Sequence, residues 1–171
     1  MKTLSRQGGD PAAGQPRDCY AQIILTVVDH APLLAAPRYA RQALAGLDAC
    51  APYAPGRLWG CVILPETVRL IVGPGTEDAL DAFVGRVKAE MSARLLDAIR
   101  RADDDALDVV LRYSPVWGGA IYHVWQAGYH LNRFWSEYKL SNALYEMMQL
   151  PVAMGLAARA DDWPYRYGSG E

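Results

Sequence analysis

The chain has 171 residues and a mass of 18.8 kDa, enough for one domain with a full core and little room for a second. Hydrophobic residues make up 51% and charged residues 21%, which excludes a disordered tail; a formal charge of −2 excludes a histone-like or polybasic binder but not a local groove. No apolar run approaches the roughly 18 residues that span a bilayer, and the polar start lacks the apolar centre of a signal peptide. Cys19, Cys50 and Cys61 are odd in number, far apart and without a C-x-x-C pair. That suits a reducing cytoplasm better than a disulfide framework or a zinc-thiolate site.

Residues 1–17, rich in Gly, Pro and polar groups, read as a flexible leader before a single domain over 18–171. Ala21, Ile23, Leu25 and Val27 alternate with Tyr20, Gln22 and Thr26, which predicts a strand. Pro37 suits the first position of a helix carrying Tyr39, Ala40, Ala43, Leu44 and Leu47, which must stop before Pro52. Arg57–Leu64 and Thr67–Val72 predict a hairpin-like strand pair broken at Pro65-Glu66. Thr76 is then a candidate N-cap, with Glu77 and Asp78 in the favourable first turn. Leu80, Phe83, Val84, Val87, Met91, Leu95 and Ile99 mark a long amphipathic helix closing at Asp103-Asp104-Asp105.

Short extended pieces follow at 109–112 and 120–126 around Gly118-Gly119. A last helix starts near Ser136, carries Leu140, Ala143, Leu144, Met147 and Met148 on its apolar side, and stops at Pro151. The order βαββαβα is that of an α+β, ferredoxin-like split βαβ sheet, expected here with its helices on one face.

Three stretches carry a more specific likeness. Cys61-Val62-Ile63-Leu64-Pro65-Glu66-Thr67-Val68-Arg69-Leu70 follows a strand motif of the form Y-x-x-M-P-N-H-V-H-L. Trp125-Gln126-Ala127-Gly128-Tyr129-His130-Leu131 follows W-Q-R-G-Y-H-D. Pro151-Val152-Ala153-Met154-Gly155-Leu156-Ala157, with Asp161-Asp162-Trp163-Pro164-Tyr165 after it, follows Y-I-x-x-N-P-V-x-x-G-L-V, an acidic pair and W-P. In this order and spacing the chain resembles the REP-associated single-tyrosine HUH transposases over about residues 20–167.

The resemblance implies a divalent metal held by two histidines, a helix tyrosine that attacks the scissile phosphate, and a dimer. This chain departs from each catalytic element. The histidine positions hold Thr67, at best a weak neutral ligand, and Arg69, which stays protonated and cannot bind a metal. Counting back from Pro151, the nucleophile position falls on Glu146, with Tyr145 one residue and roughly 100° of helix rotation away. His123 and His130 would stand roughly 23 Å apart on an extended chain, too far for joint ligation, so neither metal nor cofactor is expected.

A strand guanidinium at Arg69 suits bidentate phosphate binding at the former metal position; a salt bridge to Glu146 or a solvated arginine is the plain alternative. More than half of the Trp, Tyr and Phe residues lie between Tyr113 and Tyr145, a composition used both for stacking unpaired bases and for filling cores. The leading expectation is a catalytically degenerate, domesticated relative that binds structured single-stranded DNA or RNA, such as a hairpin, without cleavage. Its contacts would be Arg69, Trp125, Tyr129, His130, Arg133 and Lys139. One alternative is a protein-interaction scaffold that dimerises or joins a larger complex with no nucleic acid. The other is an active transposase or nuclease using Tyr145 or Glu146.

Overall fold

The alternation after Asp18 is realised as strand β1 (Cys19–Thr26), and helix α1 (Pro37–Cys50) opens with Pro37 in its first turn. The computed structural model describes residues 18–102, 105–114 and 119–168; the leader and parts of the acidic run and the Gly118 turn lie outside the described residues. Strands β2 (Arg57–Ile63) and β3 (Thr67–Gly75) form the expected antiparallel pair. Helix α2 (Glu77–Ala102) starts where Thr76 Oγ1 accepts the Ala79 N–H at 3.4 Å, and all seven of its expected apolar residues are buried.

Beyond α2 come a short helix α3 (Ala106–Val110), strands β4 (Leu111–Ser114), β5 (Gly119–Tyr122) and β6 (His130–Phe134), helix α4 (Glu137–Ala153) and strand β7 (Arg166–Gly168). The main sheet has the order β6-β1-β3-β2-β7, antiparallel throughout, and its first four strands give the split βαβ arrangement. The fourth sheet strand is therefore His130–Phe134 and not 120–126. Gly119–Tyr122 instead pairs with β4 as a separate two-stranded sheet. Strand β6 lies at an edge and is mostly exposed, so it shows no strong apolar alternation.

Alternate residues along the central strands serve two cores. Ala21, Ile23, Leu25, Cys61, Ile63, Val68, Leu70 and Val72 pack against α1 and α2. Val62, Leu64, Ile71 and Phe134 meet Leu140 and Met147 of α4, with Ala143, Leu144 and Met148 beside them. The expected placement of every helix on one face is thus corrected. α4 takes the opposite face because Val62, Ile71 and Phe134 make that side apolar too.

Pro151 does not end α4. It is buried within the last turn, where its missing N–H costs a single bond. The stop comes at Gly155, φ 70°: Leu156 N–H donates to the Pro151 carbonyl at 2.8 Å and Gly155 N–H to that of Val152 at 3.0 Å, a Schellman cap. The Trp163 indole N–H then donates to the Ile63 carbonyl at 2.9 Å, fastening the following segment beside β2 so that it can continue as β7.

Candidate functional site

Arg69 alternates along β3 with Val68 and Leu70, which face α1 and α2, so its side chain emerges on the α4 side of the sheet. Its cross-strand partners are Ile24 on β1 and Val62 on β2. Burial lowers the Arg69 pKa, and its Nε is buried with no hydrogen-bond partner. Among the described residues no carboxylate pairs with it, and the anticipated bridge to Glu146 is not formed; Glu146 is exposed on α4.

Register brings further polar side chains to the same surface. Ile24 faces Arg69 on one side and His130 of β6 on the other, so the three form one cross-strand row. With strands about 4.8 Å apart, the Arg69 and His130 backbones stand roughly 10 Å from one another. The next row holds Gln22 with Asn132, joined by an amide hydrogen bond of 3.2 Å, and Thr26 faces Thr67 at the strand ends. His130 and Asn132 are exposed. A recess of about 110 Å³ adjoins this surface between Ile24, Thr26 and the 126–130 turn. Gln22, Thr26 and Asn132 were not among the expected contacts; alternation places Gln22 and Thr26 on one face of β1, but only register places them beside Arg69.

The remaining expected contacts lie elsewhere. Trp125 is a core residue, 7% exposed, and its indole N–H donates to the Lys88 carbonyl at 3.3 Å. Its ring therefore offers no open face for a base. Lys88 Nζ donates to the Gln126 carbonyl at 2.9 Å and to that of Gly128, while Tyr129 Oη donates to Asp81. Burial and that hydrogen bond push the Tyr129 phenol up to about 12. Arg133 pairs with Glu77 at 2.6 Å. The Trp125–Arg133 segment is thus fastened to α2 on the first face, whereas Lys139 is exposed at the start of α4.

A divalent metal does not fit the sheet position implied by the sequence likeness. A hydroxyl and a cationic guanidinium are a poor donor set, and among the described residues no group of three His, Cys, Asp or Glu side chains could hold a metal. Tyr145, 68% exposed, lines a groove on the β7 side of α4. The three cysteines are free and buried, and no helix of the described residues is long and apolar enough to cross a membrane.

No family model matches the sequence, and no curated protein matches it. Among solved structures, a REP-associated tyrosine transposase bound to a REP hairpin matches with a TM-score of 0.56 at 14% identity, over 97% of this chain and 82% of that one. A candidate transposase from Deinococcus radiodurans matches with a TM-score of 0.45 at 15% identity, over 82% of this chain and 95% of that one. The two-sided sheet, with α1 and α2 on one face and α4 on the other, is the fold of the REP-associated tyrosine transposase.

Proposed function

We propose that the protein is a transposase-related binder of structured single-stranded nucleic acid. It holds a DNA or RNA hairpin on the open half of its sheet without cleaving it, in the cytoplasm, as a homodimer or as a subunit of a larger complex. The carrying observation is Arg69: a half-buried guanidinium with an unpartnered Nε, in one row with His130 and beside the Gln22–Asn132 pair. A phosphate held by the guanidinium as a whole offsets the cost of its desolvation. The hairpin bound to the similar transposase supports the choice of ligand. Thr67 and Arg69 in place of metal ligands, and a carboxylate at position 146, support binding without strand cleavage.

Fluorescence anisotropy of labelled DNA and RNA hairpins at two salt concentrations tests this reading. The expected result is binding that weakens with salt and that falls about tenfold in Arg69→Ala, the loss of one charge-assisted contact. No binding to either polymer overturns it. A covalent adduct formed with magnesium or manganese, and absent in Tyr145→Phe, overturns the non-cleaving clause alone.

A second reading, a protein-interaction scaffold, is favoured by Trp135 and Tyr138, 62% and 76% exposed at the start of α4. Light scattering beside the hairpin titration tests it: a dimer that Tyr138→Ser and Trp135→Ser dissociate, in a protein that binds no hairpin, supports the scaffold, and a monomer at all concentrations counts against it.

A further inference from the structure

Behind the 122–127 segment lies a cavity of about 320 Å³, with Lys88 and Ser92 of α2 on one side and Tyr122, His123 and Val124 on the other. We propose that it is a site for a small carboxylate with a flat apolar body, and that this ligand loosens the 126–130 turn by drawing Lys88 away from it. The effect on hairpins rests on the hairpin-binding reading; the site itself does not. The volume is that of small-ligand pockets, about 300–1,000 Å³.

Lys88 and Ser92 stand four residues apart on α2, so their side chains share one stripe of the helix. An ammonium has three N–H donors. Lys88 gives two of them, to the Gln126 carbonyl at 2.9 Å and to that of Gly128. The third, with the Ser92 hydroxyl, matches the two oxygens of one carboxylate; a phosphate dianion would need more donors than these. No Asp or Glu lines the cavity, and the exposed His123 adds a second group that can carry positive charge. Burial lowers the Lys88 pKa, and an anion beside the amine offsets that cost. Tyr122 and Val124 supply the apolar side. Val124 is buried, the Arg100 guanidinium lies 5.3 Å from the centre of the Tyr122 ring, and the Trp125 indole N–H ties the segment to the Lys88 carbonyl at 3.3 Å.

Gln126 and Ala127 line this cavity and also the recess beside the Arg69–His130 row. The turn is thus a wall shared by two cavities. Lys88 and the Tyr129–Asp81 hydrogen bond fasten it to α2. A carboxylate attracts an ammonium more strongly than a neutral carbonyl does. An occupant therefore takes Lys88 from the turn, and the recess and His130 lose one of their supports. Occupancy opposes hairpin binding, and by linkage a bound hairpin opposes occupancy to the same degree.

The test titrates the full chain with sodium benzoate, with benzamide as its uncharged counterpart and inorganic phosphate as the competing anion, all at one ionic strength. In proton–nitrogen correlation spectra, benzoate is expected to shift the amides of 88–92 and 122–128 and the Trp125 indole N–H saturably, and the other two probes to leave them in place. Lys88→Met should weaken benzoate about tenfold and Ser92→Ala by a smaller factor. Tyr129→Phe, which loosens the turn without touching the cavity, should bind benzoate like the parent. Saturating benzoate should lower the parent's hairpin affinity severalfold; in Lys88→Met that affinity should already be lowered and should no longer respond. No shift with benzoate, equal shifts with benzamide or phosphate, or parent-like benzoate binding in both Lys88→Met and Ser92→Ala overturns the site. A saturable site with unchanged hairpin affinity overturns the effect on the turn alone. If the parent binds benzoate but no hairpin, the hairpin reading falls with that effect and the carboxylate site stands.

Discussion

An arginine in the interior of a sheet, on a face half covered by a helix, is costly unless something offsets its desolvation. Arg69 has a lowered pKa from burial and no protein partner for its Nε, so its placement carries a desolvation cost in the folded protein. Arg69→Met keeps most of the stem and removes the charge. Its melting temperature is expected to equal or exceed the parent's while hairpin affinity falls about tenfold, and a lower melting temperature would show that Arg69 is structural. The side of the sheet that Arg69 takes is readable from Val68 and Leu70, which flank it. Its lack of a partner is not, because that depends on where α4 places Glu146.

Cys61 gives a second residue-scale prediction. It is fully buried, and burial pushes its thiol from the ordinary value of 9.0 up to about 12. A raised folded-state value means that the folded chain holds a proton the unfolded chain has released. The associated stability is present below pH 9 and is lost as pH rises from about 9 to about 12. Tyr129 acts in the same direction. Urea unfolding should show falling stability over that window. Cys61→Ala should be about 1 kcal/mol less stable at pH 8 through lost packing, with the gap to the parent narrowing as pH rises.

Elements were legible in proportion to how much of their pattern is local. The seven apolar positions of α2 repeat at helical spacing, and all seven are buried. Ser136 caps α4 through its side chain, which accepts the Lys139 N–H at 3.3 Å. The other end of α4 runs past its proline, because proline is a strong local stop signal but buried packing and a downstream glycine outweigh it. Gly155 holds φ 70° with open space around a Cβ. Gly155→Ala therefore tests backbone strain alone and should cost about 1 kcal/mol in urea unfolding; an unchanged midpoint would mean that the cap contributes nothing. Strand β6 carries little local signal for the opposite reason. Edge strands need only one paired side, and His130–Phe134 is largely polar and exposed.

At the scale of the whole molecule, a helix layer on each side of one sheet divides the surface into separate regions. α4 covers Val62, Ile71 and Phe134 and leaves the Arg69–Ile24–His130 row at its margin, with the Trp59–Arg166 groove beyond its other flank. Two of the basic residues are engaged, Arg133 with Glu77 on the α2 face and Arg166 with Asp161 beside β7, and the chain as a whole carries a charge of −2. Few phosphates can therefore be neutralised. The slope of log affinity against log salt is expected to be shallow, on the order of −2 to −4. A slope much steeper than that would locate the interface on a basic surface other than this one.

The amino-acid sequence by itself determined the α+β class, most element types, the core faces of β1, α1 and α2, and the presence of Thr67 and Arg69 on β3. Each of these is written in local periodicity or in residue identity. Tertiary structure alone decided that α4 lies across the sheet from α1 and α2, that His130–Phe134 completes the sheet, and that Trp125 fills the core. It also set Arg69, Ile24 and His130 in one row. Those outcomes depend on which strands pair, in what register, and which apolar face covers which. Such choices are made by contacts between residues far apart in the chain, and no short window of sequence contains both partners.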